Sequence, residues 1–165
     1  MPPATLWLGL CRLSSGLPGP LALSPQERAR LDRIGAPSRA AQYRLGRWLL
    51  RHLAAQATGV EFGGVALNAE GRPQAFLSPG LGVPRLSLAH SGDWVLGAAC
   101  FGPCGVDLER RAQSRDWAAL AEHLGLDPGE ATEDPVLRHW TLKEALYKAA
   151  ASDQTLAVWR WDSPD

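Results

Sequence analysis

The chain has 165 residues, enough for one sizeable core or two small lobes sharing an interface and too few for two independent domains of usual size. Its 45% apolar and 21% charged residues exclude a collagen-like or disordered chain, and no apolar run approaches the length of a membrane span. The 17 basic and 17 acidic side chains cancel, so no global field draws the protein to nucleic acid or an anionic membrane, and any anion site must be local.

In chain order, residues 6–13 form an apolar run expected to be a strand, ended by the turn-rich segment 14–20. Ser24 with Glu27 three residues on makes a capping box, Pro25 suits the first helical position, and Gly35 and Pro37 stop that helix. A second helix is expected from about Ser38 to about Ala57. Leu45, Trp48, Leu49 and Leu53 mark its buried face, and Arg39, Arg44, Arg47 and Arg51 lie on the other. That arginine face is either a solvated surface or a docking surface for an acidic partner.

Glycines and Gly71-Arg72-Pro73 suggest a short hairpin between residues 60 and 76, followed by a loop to 84. Residues 86–89 and 94–101 read as buried strands and 105–108 as a third extended piece, so the centre of the sheet is expected here. Helices are expected over 116–124 and from Asp134-Pro135 to about Ala151, with a last aromatic and β-branched strand over 156–161. This order argues for an α+β fold in two related lobes.

Three cysteines, Cys11, Cys100 and Cys104, cannot pair completely, and the N-terminus lacks the features of a signal peptide, so a cytoplasmic location is expected. Cys100 and Cys104 flank a Phe-Gly-Pro turn, but a zinc site needs two further ligands that no nearby Cys or His supplies. Buried, inert thiols are expected.

Two motifs carry chemistry. In Gly105-Val106-Asp107-Leu108-Glu109 the carboxylates at i and i+2 share one face of an extended chain, which suits a hard divalent cation and equally suits a half-solvated strand. In Trp140-Thr141-Leu142-Lys143-Glu144-Ala145-Leu146-Tyr147-Lys148, helical spacing puts Glu144 and Lys148 on one face, where they make either a simple exposed pair or part of a site. Of the chain's 17 basic residues only Lys143 and Lys148 are lysines, and both fall in this motif.

GVDLE followed by WTLKEALYK resembles the paired signature of the Sfp-type 4′-phosphopantetheinyl transferases, in the subclass marked by W and KEA. The similarity extends back through LSLAHSGDWVLG at residues 86–97, Gly71-Arg72-Pro73 and the arginine-rich helices of residues 23–51. The resemblance implies a fold of two similar α/β lobes in a pseudo-twofold arrangement, residues 1–103 and 104–165, with the active site between them. It implies that Asp107, Glu109 and Glu144 hold Mg²⁺ with the pyrophosphate of coenzyme A, and that Lys143 and Lys148 contact phosphate oxygens. Glu144 or a water on the metal would accept the proton of the attacking serine, while His90 and Arg72 would lie near the 3′-phosphate. Glu144 and Lys148 are thus the implied catalytic residues.

The implied activity is holo-[carrier protein] synthesis, in which 4′-phosphopantetheine passes from coenzyme A to a serine of an acyl, peptidyl or polyketide carrier protein. Two other readings stand beside it. One is a non-catalytic relative that binds coenzyme A or a carrier, and the other is a different Mg²⁺-dependent pyrophosphate-bond enzyme, since three carboxylates and two lysines do not specify the acceptor. Departures from the family pattern are Ala89 where a serine usually precedes the histidine, and Gln42 where an arginine precedes the aromatic Tyr43. Arg39 and Arg47, about one turn to either side, are candidates to replace that charge. Alanines at 149–151 replace the family's glycines, and a shortened C-terminal lobe is expected to leave Trp159 and Trp161 near a sheet edge. His52, His123 and His139 match nothing in the family and are expected to be structural or solvated.

Overall fold

The computed structural model describes residues 5–111, 115–127, 129 and 132–150. The chain runs β1 (Leu6–Arg12), α1 (Pro25–Asp32), α2 (Pro37–Thr58), β2 (Ala66–Leu67), β3 (Ala75–Phe76), β4 (Arg85–Ser91), β5 (Trp94–Cys100), α3 (Trp117–Leu124) and α4 (Glu133–Ala149). It is an α+β protein. The main sheet is antiparallel in the order β1-β5-β4, and β2 with β3 forms the small hairpin expected around Gly71. No described helix is long and apolar enough to cross a membrane.

β5 sits at the centre of the sheet because both its faces are covered, and Val95, Ala98 and Ala99 have no solvent exposure. On one face α2 lays Leu45, Leu49, Leu50 and Leu53 against Leu86, Val95 and Ala99. The helix comes close because Gly9 and Gly97 pair across β1 and β5, and a Cβ at Gly9 would stand 2.6 Å from Leu49 Cδ1. At about 25 cal/mol per Å² of buried apolar surface, this layer is the main source of stability. The opposite face is covered over β4 and β5 by Cys104 and Val106, which pack on Ala89, Ala98 and Cys100.

The capping box forms as expected: Glu27 N–H donates to Ser24 Oγ at 3.2 Å, and Ser24 N–H donates to Glu27 Oε2 at 2.8 Å. The expected arginine face of α2 does not survive as a surface. Arg47 and Arg51 are buried and pair with Glu27, at 3.0 and 2.7 Å, so two of its four charges fasten α1 to α2. Burial alone would raise the Glu27 carboxyl, but hydrogen bonds from Arg51 and the Ser24 amide, with the charges of Arg51 and Arg47, outweigh it and hold the carboxyl below its ordinary value.

Residues 105–108 are not a strand of the sheet. They cross the face of β4 and are tied to it by side chains. Val106 N–H donates to Ser87 Oγ at 3.0 Å and Arg110 N–H to Ser91 Oγ at 2.9 Å. Beyond Cys100 the described residues contain helices and no strand, so they show a single sheet-based lobe and not the expected pseudo-twofold pair. The strand expected over 156–161, with Trp159 and Trp161, lies outside the described residues.

Cys100 and Cys104 are buried free thiols, and Cys100 Sγ donates to the carbonyl of Gly102 at 3.1 Å. Burial, then the neighbouring Cys100, pushes Cys104 up to about 12, which keeps it a protonated, unreactive thiol. His52 stacks on Trp48 with ring centroids 5.0 Å apart, and His139 Nδ1 lies 2.9 Å from the carbonyl oxygen of Pro135, so both are structural.

Candidate functional site

Gly105 brings the two motifs together. A Cβ at this position would overlap the carbonyl oxygen of Ala145 and the amide nitrogen of Ala149, so only glycine lets the 104–109 segment lie directly on α4. The consequence is seen two residues on. Lys148 Nζ donates to Asp107 Oδ1 at 2.5 Å, which makes it the partner of a carboxylate on another segment and not of Glu144 one helical turn away. This pair keeps some contact with solvent, with side-chain exposures of 29% for Lys148 and 10% for Asp107.

Glu109 accepts from Arg115 at 2.9 Å and from Ser91 Oγ at 3.3 Å. Glu144 and Lys143 are half-buried on α4 and have no ion-pair partner among the described residues. Carboxylate oxygens with partial access suit a hard cation in their chemistry. Among the described residues, however, no three His, Cys, Asp or Glu side chains are gathered closely enough to hold a metal ion. The negative charges of Asp107 and Glu109 are instead balanced by Lys148 and Arg115, cations that an incoming phosphate can draw towards itself.

His90 lies at the other end of the site, where β4 passes the start of α2. Arg39 Nη1 stands 3.1 and 3.2 Å from its two ring nitrogens. Partial burial, then the Arg39 charge, holds the imidazole below its ordinary value, with Lys148 acting in the same sense and Asp107 against it. Those last two influences tie His90 electrostatically to the Asp107–Lys148 pair.

A cavity of about 430 Å³ opens beside His90, lined by Arg30 and Arg39 and by Arg47, whose charge Glu27 already balances, so its wall carries local positive charge despite the zero net charge of the chain. Tyr43 lies in the same wall beneath the Arg47 guanidinium, 5.3 Å from its ring, and its buried hydroxyl has no hydrogen-bond partner. Sequence reasoning passed over Arg30 and gave Tyr43 only a family position. A signal for Arg30 was available in its place at the end of the capped helix that delivers Glu27 to α2.

Arg72 takes a different place from His90. Its guanidinium donates to the carbonyls of Ala150, at 2.9 Å, and Tyr147, at 3.2 Å, and so closes the C-terminal end of α4. Arg72 and Lys148 line a second cavity of about 510 Å³, whose walls include Val83, Leu86 and Cys104. Pro73 belongs to both cavities, so they adjoin across the Gly71-Arg72-Pro73 turn. The two halves of the site are therefore a basic cavity and a mixed polar and apolar one, with the Asp107–Lys148 pair at the latter.

No family model matches the chain. Among curated proteins it is 28% identical over 136 residues to the 4′-phosphopantetheinyl transferase psf-1 of Bacillus pumilus, covering 76% of this chain and 57% of that protein. It is 24% identical over 145 residues to a 4′-phosphopantetheinyl transferase of Bacillus subtilis, covering 83% of this chain and 64% of that one. The chain is a distant relative of the 4′-phosphopantetheinyl transferases. It spans somewhat under two thirds of the length of these two transferases.

Proposed function

We propose that this chain binds coenzyme A and transfers its 4′-phosphopantetheine arm to a serine of an acyl, peptidyl or polyketide carrier protein in a Mg²⁺-dependent reaction. The observation that carries this reading is the adjoining pair of cavities, one cationic and one of mixed polarity, with Lys148 of the acid–lysine pair in the wall of the second. Coenzyme A has the matching parts: a phosphorylated nucleotide, a diphosphate and an uncharged arm. The distant kinship with 4′-phosphopantetheinyl transferases supports the same assignment.

The nucleotide end enters the cavity of Arg30, Arg39 and His90, and the arm enters the one bounded by Val83, Leu86 and Cys104. Lys148, freed from Asp107, meets the diphosphate as a point charge, and Lys143 on the same helix assists it. Asp107, Glu109 and Glu144, which the structure does not gather into a metal site, are the residues that would hold Mg²⁺ once drawn together, and the ion would neutralise the diphosphate and the charge gathering on the departing group. The serine Oγ forms a bond to the phosphorus that carries pantetheine, and the bond from that phosphorus to the bridging oxygen breaks. Adenosine 3′,5′-bisphosphate leaves. Glu144, without an ion-pair partner among the described residues, takes the serine proton.

The test is mass spectrometry of apo carrier protein incubated with this chain, coenzyme A and Mg²⁺. The expected result is a phosphopantetheine adduct on the carrier with release of adenosine 3′,5′-bisphosphate. Binding of coenzyme A without an adduct across a panel of carriers overturns the transfer step, and cleavage of coenzyme A without a carrier assigns a hydrolase instead.

A further inference from the structure

We propose that residues 155–161 of this chain, which lie outside the described residues, dock on the bare part of the main sheet and cover the leucine stripe of β1. Docking there ties the C-terminal end of α4, the helix that carries Lys148, to the far strand of the sheet. This contact stands apart from the coenzyme A reading.

β1 is apolar on both faces, which is the pattern of a strand covered on both sides. Trp7, Gly9 and Cys11 face α2, with Gly9 lying against Leu49. Leu6, Leu8 and Leu10 alternate with them, so they point to the opposite face, and they are 52, 56 and 55% exposed. On that face Cys104 and Val106 pack over β4 and β5, and the cover extends to Leu96, the β5 partner of Leu10. The strip over β1 is left bare among the described residues. Three aligned leucines on an edge strand form a surface that a folded chain buries or that associates with other chains.

α4 delivers the chain that follows it to this face. Its last turn rests on Gly105, Arg72 donates to the carbonyl of Ala150 at 2.9 Å, and Ala149 lines a cavity together with Arg85 and Cys104. Arg85 and Leu6 pair with Cys100 from opposite sides of β5. The exit of α4 is therefore at the Leu6 end of the sheet, two strand spacings or about 10 Å from β1. Residues 151–154 can span that gap, since four extended residues reach about 13 Å. The next seven, residues 155–161, equal β1 in length, and Leu156, Ala157, Val158, Trp159 and Trp161 supply apolar surface. Their β-branched and aromatic content favours the extended form that such a strip accepts. A segment laid from Leu6 towards Arg12 also brings Asp162 to Arg12, whose side chain is 57% exposed at the far end of the stripe.

The experiment places the photo-crosslinker p-benzoylphenylalanine at position 8 of the full chain and maps its products by mass spectrometry. The expected product is a crosslink within one chain, from position 8 into residues 155–161. A product of twice the chain's mass assigns the face to a second copy, and one formed only after apo carrier protein is added assigns it to that partner. Either result overturns the proposal, as does a crosslink to another part of the chain or none at all. A double-mutant cycle serves if the bulky probe prevents folding. Leu8→Ala and Trp159→Ala are each expected to lower the melting temperature by about 3–6 °C, and the double variant by about the larger of the two drops. A drop below about 2 °C for Leu8→Ala, the behaviour of an exposed leucine, or two drops that simply add, overturns the contact.

Discussion

Glu27, gripped by Arg47 and Arg51, has no solvent exposure, whereas Asp107 and Lys148 keep 10% and 29% of theirs. The two clusters use the same chemistry, a carboxylate charge-paired with basic side chains, on opposite sides of one boundary. In the first, every charge is spoken for by a neighbour and a capping amide, so the cluster holds α1 to α2 and has nothing to offer a ligand. In the second, the partners are joined across two segments at the mouth of a cavity, and water or a phosphate can replace either of them. Access, not composition, is what separates the two ion pairs.

The comparison is broken most strongly from the buried side. Glu27→Ala leaves two buried guanidinium groups unpaired and is expected to cost about 3–5 kcal/mol in urea denaturation. The pH dependence follows from the depressed Glu27 carboxyl. Its contribution is present above the ordinary carboxyl range and is lost as pH falls through the lowered folded-state value, so acid should destabilise the unmodified protein more than Glu27→Gln.

From the accessible side the expectation reverses. Asp107→Asn should reduce carrier modification by about a hundredfold or more while lowering the unfolding free energy by only about 1 kcal/mol, because Asn keeps an acceptor for the part-exposed Lys148. If instead stability collapses and residual turnover is preserved, Asp107 belongs with Glu27 and the distinction fails.

Ser87→Ala sharpens the boundary between the two regions. It strands the Val106 amide beneath the 104–109 segment, at a cost of about 1–3 kcal/mol. Transfer should fall along with stability in this variant, since the same hydrogen bond positions Asp107. Retained activity with normal stability would remove Ser87 from that role.

Much of the fold was legible in the residues. The Ser24/Glu27 capping box, Pro25 at a helix start, the glycine-marked hairpin and the strands around His90 all declare themselves through local chemistry, whereas Pro37, expected to stop α1, opens α2. The extended 105–108 piece was misassigned to the sheet because alternation of apolar and acidic residues describes any chain with one covered face. Serine side chains of β4, not a partner strand, supply its hydrogen bonds. The arginine periodicity of α2 was visible too. That Arg47 and Arg51 point into a protein interior depends on Glu27, 20 and 24 residues earlier, which no helical wheel contains.

The sequence by itself determined which groups are present and which element carries each: carboxylates at Asp107 and Glu109, lysines confined to α4, a histidine at the end of β4. Those follow from spacing and propensity, which are local. Only the tertiary structure decided that Lys148 faces Asp107, that Arg72 closes α4 and that Arg39 meets His90. Side-chain partnership is set by the packing of distant segments, through close approaches such as that of Gly105 to α4, and no short-range pattern records it.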